Sequence, residues 1–97
     1  MEFKKETPVP VRFTIPDKVT VRQQMAYLSE ASASSRPHIE RLWIGAVAMI
    51  EEWECSLFQK GVNLDEVTDP RVTDVMVWVA IQVRNHMNGL DEVPKNS

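Results

Sequence analysis

The chain has few of the residues from which catalytic and metal sites are commonly built. Its 97 residues include one cysteine, Cys55, and two histidines, His38 and His86, which do not form a His-x-x-x-His pair. An internal disulfide is therefore impossible, and a zinc site lacks ligands. Glutamates occupy three of the four positions before Cys55 and disfavour the thiolate that a nucleophile requires. Glycine-rich phosphate loops and a Gly-x-Ser-x-Gly sequence are also missing, so we predict no enzyme, no cofactor and no metal.

Positive charge and long apolar runs are scarce as well. The 11 lysines and arginines are outnumbered by 14 aspartates and glutamates, which gives a net charge of −3. A domain that binds duplexes usually carries a basic face, so we predict no nucleic-acid partner. No apolar run is long enough to span a bilayer, and the N-terminal residues lack the apolar core of a signal peptide. These features, with the single cysteine, predict a cytoplasmic protein without a membrane partner.

The N-terminal part of the chain has the pattern of an extended segment. Residues 1–8 are polar and are expected to be flexible. Apolar residues then occupy every second position from Val9 to Ile15, which is the period of a strand with one apolar face. Pro10 cannot donate a hydrogen bond within a sheet, and no second strand is evident to pair with this segment. We therefore predict that residues 9–16 form an edge strand or an extended arm.

Helical periodicity dominates the remainder and predicts helices near residues 20–30, 36–60 and 70–88. Thr20 or Asp17 can cap the first helix, and Asp69 followed by Pro70 is a typical start for the third. The first helix carries one apolar stripe, formed by Val21, Met25 and Leu28. The second has an apolar face formed by Ile39, Leu42, Trp43, Ala46, Val47, Ile50, Trp53 and Leu57. The third has a face formed by Val72, Val75, Met76, Val79, Val83 and Met87.

These elements predict a single domain over residues 1–97, with a polar and flexible end at residues 91–97. The predicted fold class is mainly α, a small bundle of about three helices preceded by a short extended or edge-strand arm.

Both long helices carry a second, narrower apolar face on the side opposite the first. At about 100° per residue, this second face contains Ile44, Ala48 and Cys55 on the second helix and Val77 and Ile81 on the third. Trp78 lies on the flank of the third helix and is the candidate anchor of an interface. A chain of this length has little with which to cover both faces, so we predict self-association or a hydrophobic helical partner. In the alternative interpretation, the N-terminal arm and the side chains of Leu90 and Val93 cover these residues.

Acidic residues are concentrated in the middle of the chain. Candidate contacts for a basic partner are Glu51, Glu52, Glu54, Asp65 and Glu66. The alternative interpretation is a solvated acidic surface.

The overall pattern resembles the tail assembly chaperones of long-tailed, siphovirus-type bacteriophages. The resemblance covers residues 9–96 and rests on an extended opening segment, a tryptophan-rich acidic middle helix, a loop and a final helix. These are VPVRFTIPDKVTVRQQMAYL, RLWIGAVAMIEEWECSLF, NLDEVTDP and VTDVMVWVAIQVRNHMNGLDEVPKN. It implies a protein without catalytic residues that oligomerises and coats the long, helical tape measure protein during tail assembly.

Two other functions are compatible with the same residues. The first is a small phage-encoded inhibitor, an anti-defence protein whose acidic surface blocks a host protein. The second is a structural connector subunit of the virion, which would remain in the finished particle.

Overall fold

The computed structural model describes residues 1–7, 9–31 and 37–91. In these residues the chain forms a three-stranded antiparallel sheet and three α-helices, with a short 3₁₀ turn at Leu64–Glu66. In chain order the elements are β1 (Glu2–Lys5), β2 (Val11–Thr14), α1 (Val21–Ala31), α2 (His38–Met49), β3 (Glu52–Cys55) and α3 (Pro70–Asp91).

The fold is therefore mixed α/β, and the prediction of a mainly α bundle is wrong. The error lies in the helix predicted over residues 36–60. The helix ends at Met49, and Ile50 has an extended backbone with φ −71° and ψ 126°. The next residues alternate between exposed glutamates and half-buried Trp53 and Cys55, which is the pattern of a strand. Because helical spacing also placed Trp53 on an apolar face, the strand was concealed in the sequence.

The predicted N-terminal arm is the central strand of the sheet. The strand order is β1-β2-β3, so β2 is paired on both sides. Its partner β1 lies within residues 1–8, which we had expected to be flexible. Pro10 precedes β2 and removes no hydrogen bond from the strand itself.

One face of the sheet carries a row of aromatic side chains. Phe3, Phe13 and Trp53 are directly opposite one another on the three strands. Phe13 stacks on Phe3 with ring centroids 4.9 Å apart and contacts the edge of Trp78 on α3 at 5.6 Å. Trp53 in turn contacts Trp43 on α2 at 5.8 Å. This row joins the sheet to two of the helices.

The helices α1 and α3 start at side-chain caps that satisfy free backbone N–H groups, whereas α2 starts after Pro37 without a side-chain cap hydrogen bond. At α1 the N–H of Gln23 donates to the hydroxyl of Thr20 at 3.2 Å, and the N–H of Thr20 donates to the Gln23 side chain at 2.9 Å. At α3 the N–H of Arg71 donates to the Asp69 carboxylate at 3.0 Å.

The helix α2 packs against both α1 and α3. The predicted apolar face of α3 is confirmed, since all six of its residues are buried. On α2 the residues Leu42, Trp43, Ala46 and Met49 are buried.

None of the described helices combines the length and the apolar character that crossing a bilayer requires. In the alternative interpretation, the side chains of Leu90 and Val93 help to cover the second apolar faces. These two side chains and residues 92–97 lie outside the described part of the structure.

The position of Phe13 predicts a large contribution to stability. Phe13 has no exposed surface and is surrounded by aromatic rings from β1, β3 and α3. We expect Phe13→Ala to lower the free energy of unfolding by about 3–5 kcal/mol, as for other large-to-small changes in a core. Urea denaturation followed by tryptophan fluorescence measures this, with the exposed Lys18→Ala as control. If the free energy of unfolding fell by less than about 1 kcal/mol, residues 9–16 would be a loosely attached arm and not a central strand.

Candidate functional site

The most exposed apolar surface of the described structure is a ridge on α1. Val21, Met25 and Leu28 are 70%, 65% and 54% exposed. Their spacing of four and three residues places them in one line along the helix, and we call this line the α1 ridge. The sequence predicts this stripe but does not specify whether it is buried.

Tyr27 explains why the ridge faces outward. Tyr27 is the residue through which α1 is anchored in the core, and it is 5% exposed. Its burial raises the pKa of the phenol, an effect that the charge of Arg84 on α3 partly opposes. On a helical projection Tyr27 lies about 100° or more from each residue of the ridge, so burying Tyr27 turns the ridge to solvent.

The ridge can receive the apolar face of another helix. Ile39, at the start of α2, is another exposed apolar side chain of the described structure. Lys18 and Arg22 are exposed near the N-terminal end of the ridge. Apolar residues at this spacing are typical of an amphipathic helix that lays its apolar face on a partner.

The second apolar face predicted for α3 forms one wall of a groove. Val77, Trp78 and Ile81 are half-buried and line a groove of about 590 Å³ together with Lys5, Thr7 and Asp74. Trp78 packs on Phe13 and lies under the ammonium group of Lys5, which is 5.7 Å from the ring centroid. Trp78 therefore contributes to the core as well as to the groove wall.

The candidate interface residues on α2, Ile44 and Ala48, do not line the groove on α3. Ile44 is half-buried and lines a cavity of about 300 Å³ between α2 and the loop 60–65. Ala48 is exposed. The structure thus places Ile44 apart from the candidates on α3, and Ala48 lines neither the cavity nor the groove.

The sheet face opposite the aromatic row carries an ion-pair cluster around Arg12. The guanidinium donates to Glu54 at 2.8 Å and to Glu2 at 3.1 Å, and it lies 3.7 Å from Glu52. The hydrogen bond to Glu54 raises the pKa of Arg12, and the same contact lowers the pKa of Glu54. Two of the candidate acidic contacts, Glu52 and Glu54, are therefore paired with a cation of the chain itself.

The remaining acidic candidates do not join this cluster. Glu51 is exposed, and its N–H donates to the carbonyl of Thr14 at 2.8 Å. Asp65 and Glu66 are exposed in the 3₁₀ turn. The acidic residues are therefore divided between the sheet and the turn.

The cysteine and the buried histidine lie on different elements, Cys55 on β3 and His86 on α3. Cys55 is a half-buried free thiol on β3. The Nε2 atom of His86 is buried without a hydrogen-bond partner among the described residues. Asp17 pairs with the amino group of Met1, which lowers the pKa of Asp17, with a smaller effect from His86. Within residues 1–7, 9–31 and 37–91, no group of three or more acidic, histidine or cysteine residues is placed to hold a metal ion.

Comparison of the chain with protein-family models, curated proteins and solved structures found no match.

The Arg12 cluster predicts a specific dependence of stability on pH. Because the pKa of Glu54 is lowered in the folded state, its stabilising effect is present near neutral pH and is lost as the pH falls through that lowered value. We expect Glu54→Gln to be less stable than the original protein at pH 7 and equally stable in strong acid. Urea denaturation at a series of pH values measures the difference. Glu66→Gln, outside the cluster, is the control, and a difference for Glu54→Gln that is constant with pH would contradict the assignment.

Proposed function

We propose that this protein is a non-catalytic tail assembly chaperone of a long-tailed bacteriophage. In this proposal it acts in the host cytoplasm, associates with itself and coats a long helical tape measure protein before the tail tube forms. The exposed α1 ridge is the observation that carries the proposal, because it offers a ready-made contact for an apolar helix face.

The energetics of the ridge suit a reversible coat. Full burial of a valine, leucine or methionine side chain contributes about 1.5–3 kcal/mol, and part of this gain is offset by the cost of association. One ridge therefore supplies only a modest affinity. A long client with many apolar helical turns can bind several self-associated copies at once, which raises the total affinity without any new contact.

The composition of the ridge also suits a client whose sequence varies along its length. Met25, at the centre of the ridge, is unbranched and polarisable and can adapt to differently shaped partners. Release during tail assembly then requires only that tail tube subunits compete for the same client surface.

The inhibitor alternative receives less support from the sheet. An inhibitor that imitates nucleic acid presents unpaired carboxylates to a basic surface. Glu52 and Glu54 lie instead against Arg12, which offsets part of their charge.

The connector alternative differs in the fate of the protein, since a connector remains in the particle whereas a chaperone leaves it. Mass spectrometry of purified virions separates these two.

The ridge provides the direct test of client binding. We expect Val21→Ser/Met25→Ser/Leu28→Ser to keep its circular dichroism spectrum and thermal midpoint, because these side chains are already exposed. Co-expressed with the tape measure protein of the same phage, the triple variant should fail to keep that protein soluble or to co-purify with it.

A matched control alters exposed residues of the same helix outside the ridge, Ala26→Ser and Glu30→Ser. We expect this control to bind the client as the original protein does. Undiminished binding by the triple variant would exclude the α1 ridge as the client site.

A further inference from the structure

The outer edge of β1 presents backbone groups that β2 does not use. Met1 and Ile15 exchange two hydrogen bonds, at 2.8 and 3.0 Å. Because bonded pairs alternate along an antiparallel ladder, Phe3 also bonds toward β2, whereas the N–H and C=O groups of Glu2 and Lys4 point away from it. Since β1 is the first strand in the order β1-β2-β3, no described strand covers this edge.

The side chains of β1 are self-complementary in one antiparallel register. If Phe3 lies opposite Phe3 of a second copy, Glu2 lies opposite Lys4 of that copy and Lys4 lies opposite its Glu2. Opposite charges face each other at both positions, which stabilises a cross-strand pair. In the same register, the outward N–H and C=O groups of Glu2 bond to those of Lys4 in the second copy. The residues that form hydrogen-bonded pairs are therefore also the residues whose charges attract.

The neighbouring registers lack this agreement. With Lys4 at the centre, Lys4 lies opposite itself and Glu2 lies opposite Glu6, so like charges meet. With Lys5 at the centre, Lys5 lies opposite itself and the pairing depends on Glu6, which is outside β1. The register centred on Phe3 is therefore the one that the charges favour.

The two-fold axis of such a pair is perpendicular to the sheet and keeps the helices of both copies on the same side. Lys5 of β1 also lines the groove formed with Val77, Trp78 and Ile81. Met1, whose side chain is 49% exposed, then lies opposite Lys5 of the other copy, at the edge of its groove. The pairing would thus bury exposed apolar surface as well as the strand edge.

We propose that two copies of this chain pair through β1 in the register centred on Phe3, forming a continuous six-stranded sheet in which Met1 of each copy lies opposite Lys5 of the other. The inference rests on the self-association contained in the proposed function and identifies its surface. It uses the backbone edge of β1 and none of the residues of the α1 ridge.

Lys4→Pro tests the pairing through the backbone. Proline removes an N–H that points away from β2 and so leaves the hydrogen bonds within the monomer in place, as at other edge strands. Lys4→Thr is the matched control, because it also removes the charge but keeps the N–H group. In sedimentation velocity over a concentration series, we expect Lys4→Pro to weaken the dimer about a hundredfold and Lys4→Thr about tenfold or less.

Charge exchange tests the register independently of proline. Lys4→Glu places like charges opposite each other at both positions and should weaken the dimer about tenfold. The double variant Glu2→Lys/Lys4→Glu restores opposite charges and should recover most of the affinity. It also leaves a carboxylate beside Arg12, since Lys4 and Arg12 are directly opposite.

The outcomes distinguish this inference from the function on which it rests. A dimer that is as strong in Lys4→Pro as in the original protein would overturn pairing through β1 and leave self-association by another surface. A failure of the double variant to recover affinity would overturn the register. A protein that remains monomeric up to about 200 µM would overturn both this inference and the proposed self-association. Client binding by the α1 ridge is measured separately.

Discussion

The burial of Phe13 is the contact on which the rest of the structure depends. Its ring is packed between Phe3 and Trp53 on the neighbouring strands and meets the edge of Trp78 on α3. A three-stranded sheet of four-residue strands has little stability without a packed face. Because Phe13 belongs to the central strand, a single side chain couples both outer strands to the helical layer. Loss of this contact would leave the sheet joined to the helices chiefly through Trp53, which contacts Trp43 on α2.

The same packing determines which surfaces remain for partners. Anchoring α1 through Tyr27 leaves Val21, Met25 and Leu28 in solvent, although they are the most regular apolar stripe of that helix. Placing β1 at the outside of the sheet leaves one strand edge unpaired within the described structure. These two surfaces belong to different elements and differ in kind. The α1 ridge offers apolar side chains, whereas the edge of β1 offers directional backbone hydrogen bonds.

This division fits the proposed function, in which the protein assembles and binds its client reversibly. Strand pairing has a defined register and suits a contact between identical copies. A ridge of flexible apolar side chains tolerates many partner sequences and suits a client that changes along its length. The ion-pair cluster around Arg12 occupies the remaining sheet face and keeps it polar, which discourages unspecific stacking of that face. A chain of this size can thereby combine two modes of association in one domain.

Local pattern in the sequence by itself determined α1, α3, the cap at Asp69 and the buried face of α3, because helical periodicity and capping depend on residues within a few positions of one another. For α1 the sequence left Asp17 and Thr20 as alternative caps, and the structure has the cap at Thr20. The candidate residues on the back of α3 could likewise be found from the sequence, although their common groove with Lys5 could not. Tertiary structure decided that Glu52–Cys55 is a strand, because that segment gains its hydrogen bonds from β2, about 40 residues earlier in the chain. It also decided that the stripe on α1 faces outward, since a stripe of apolar residues does not specify what covers it.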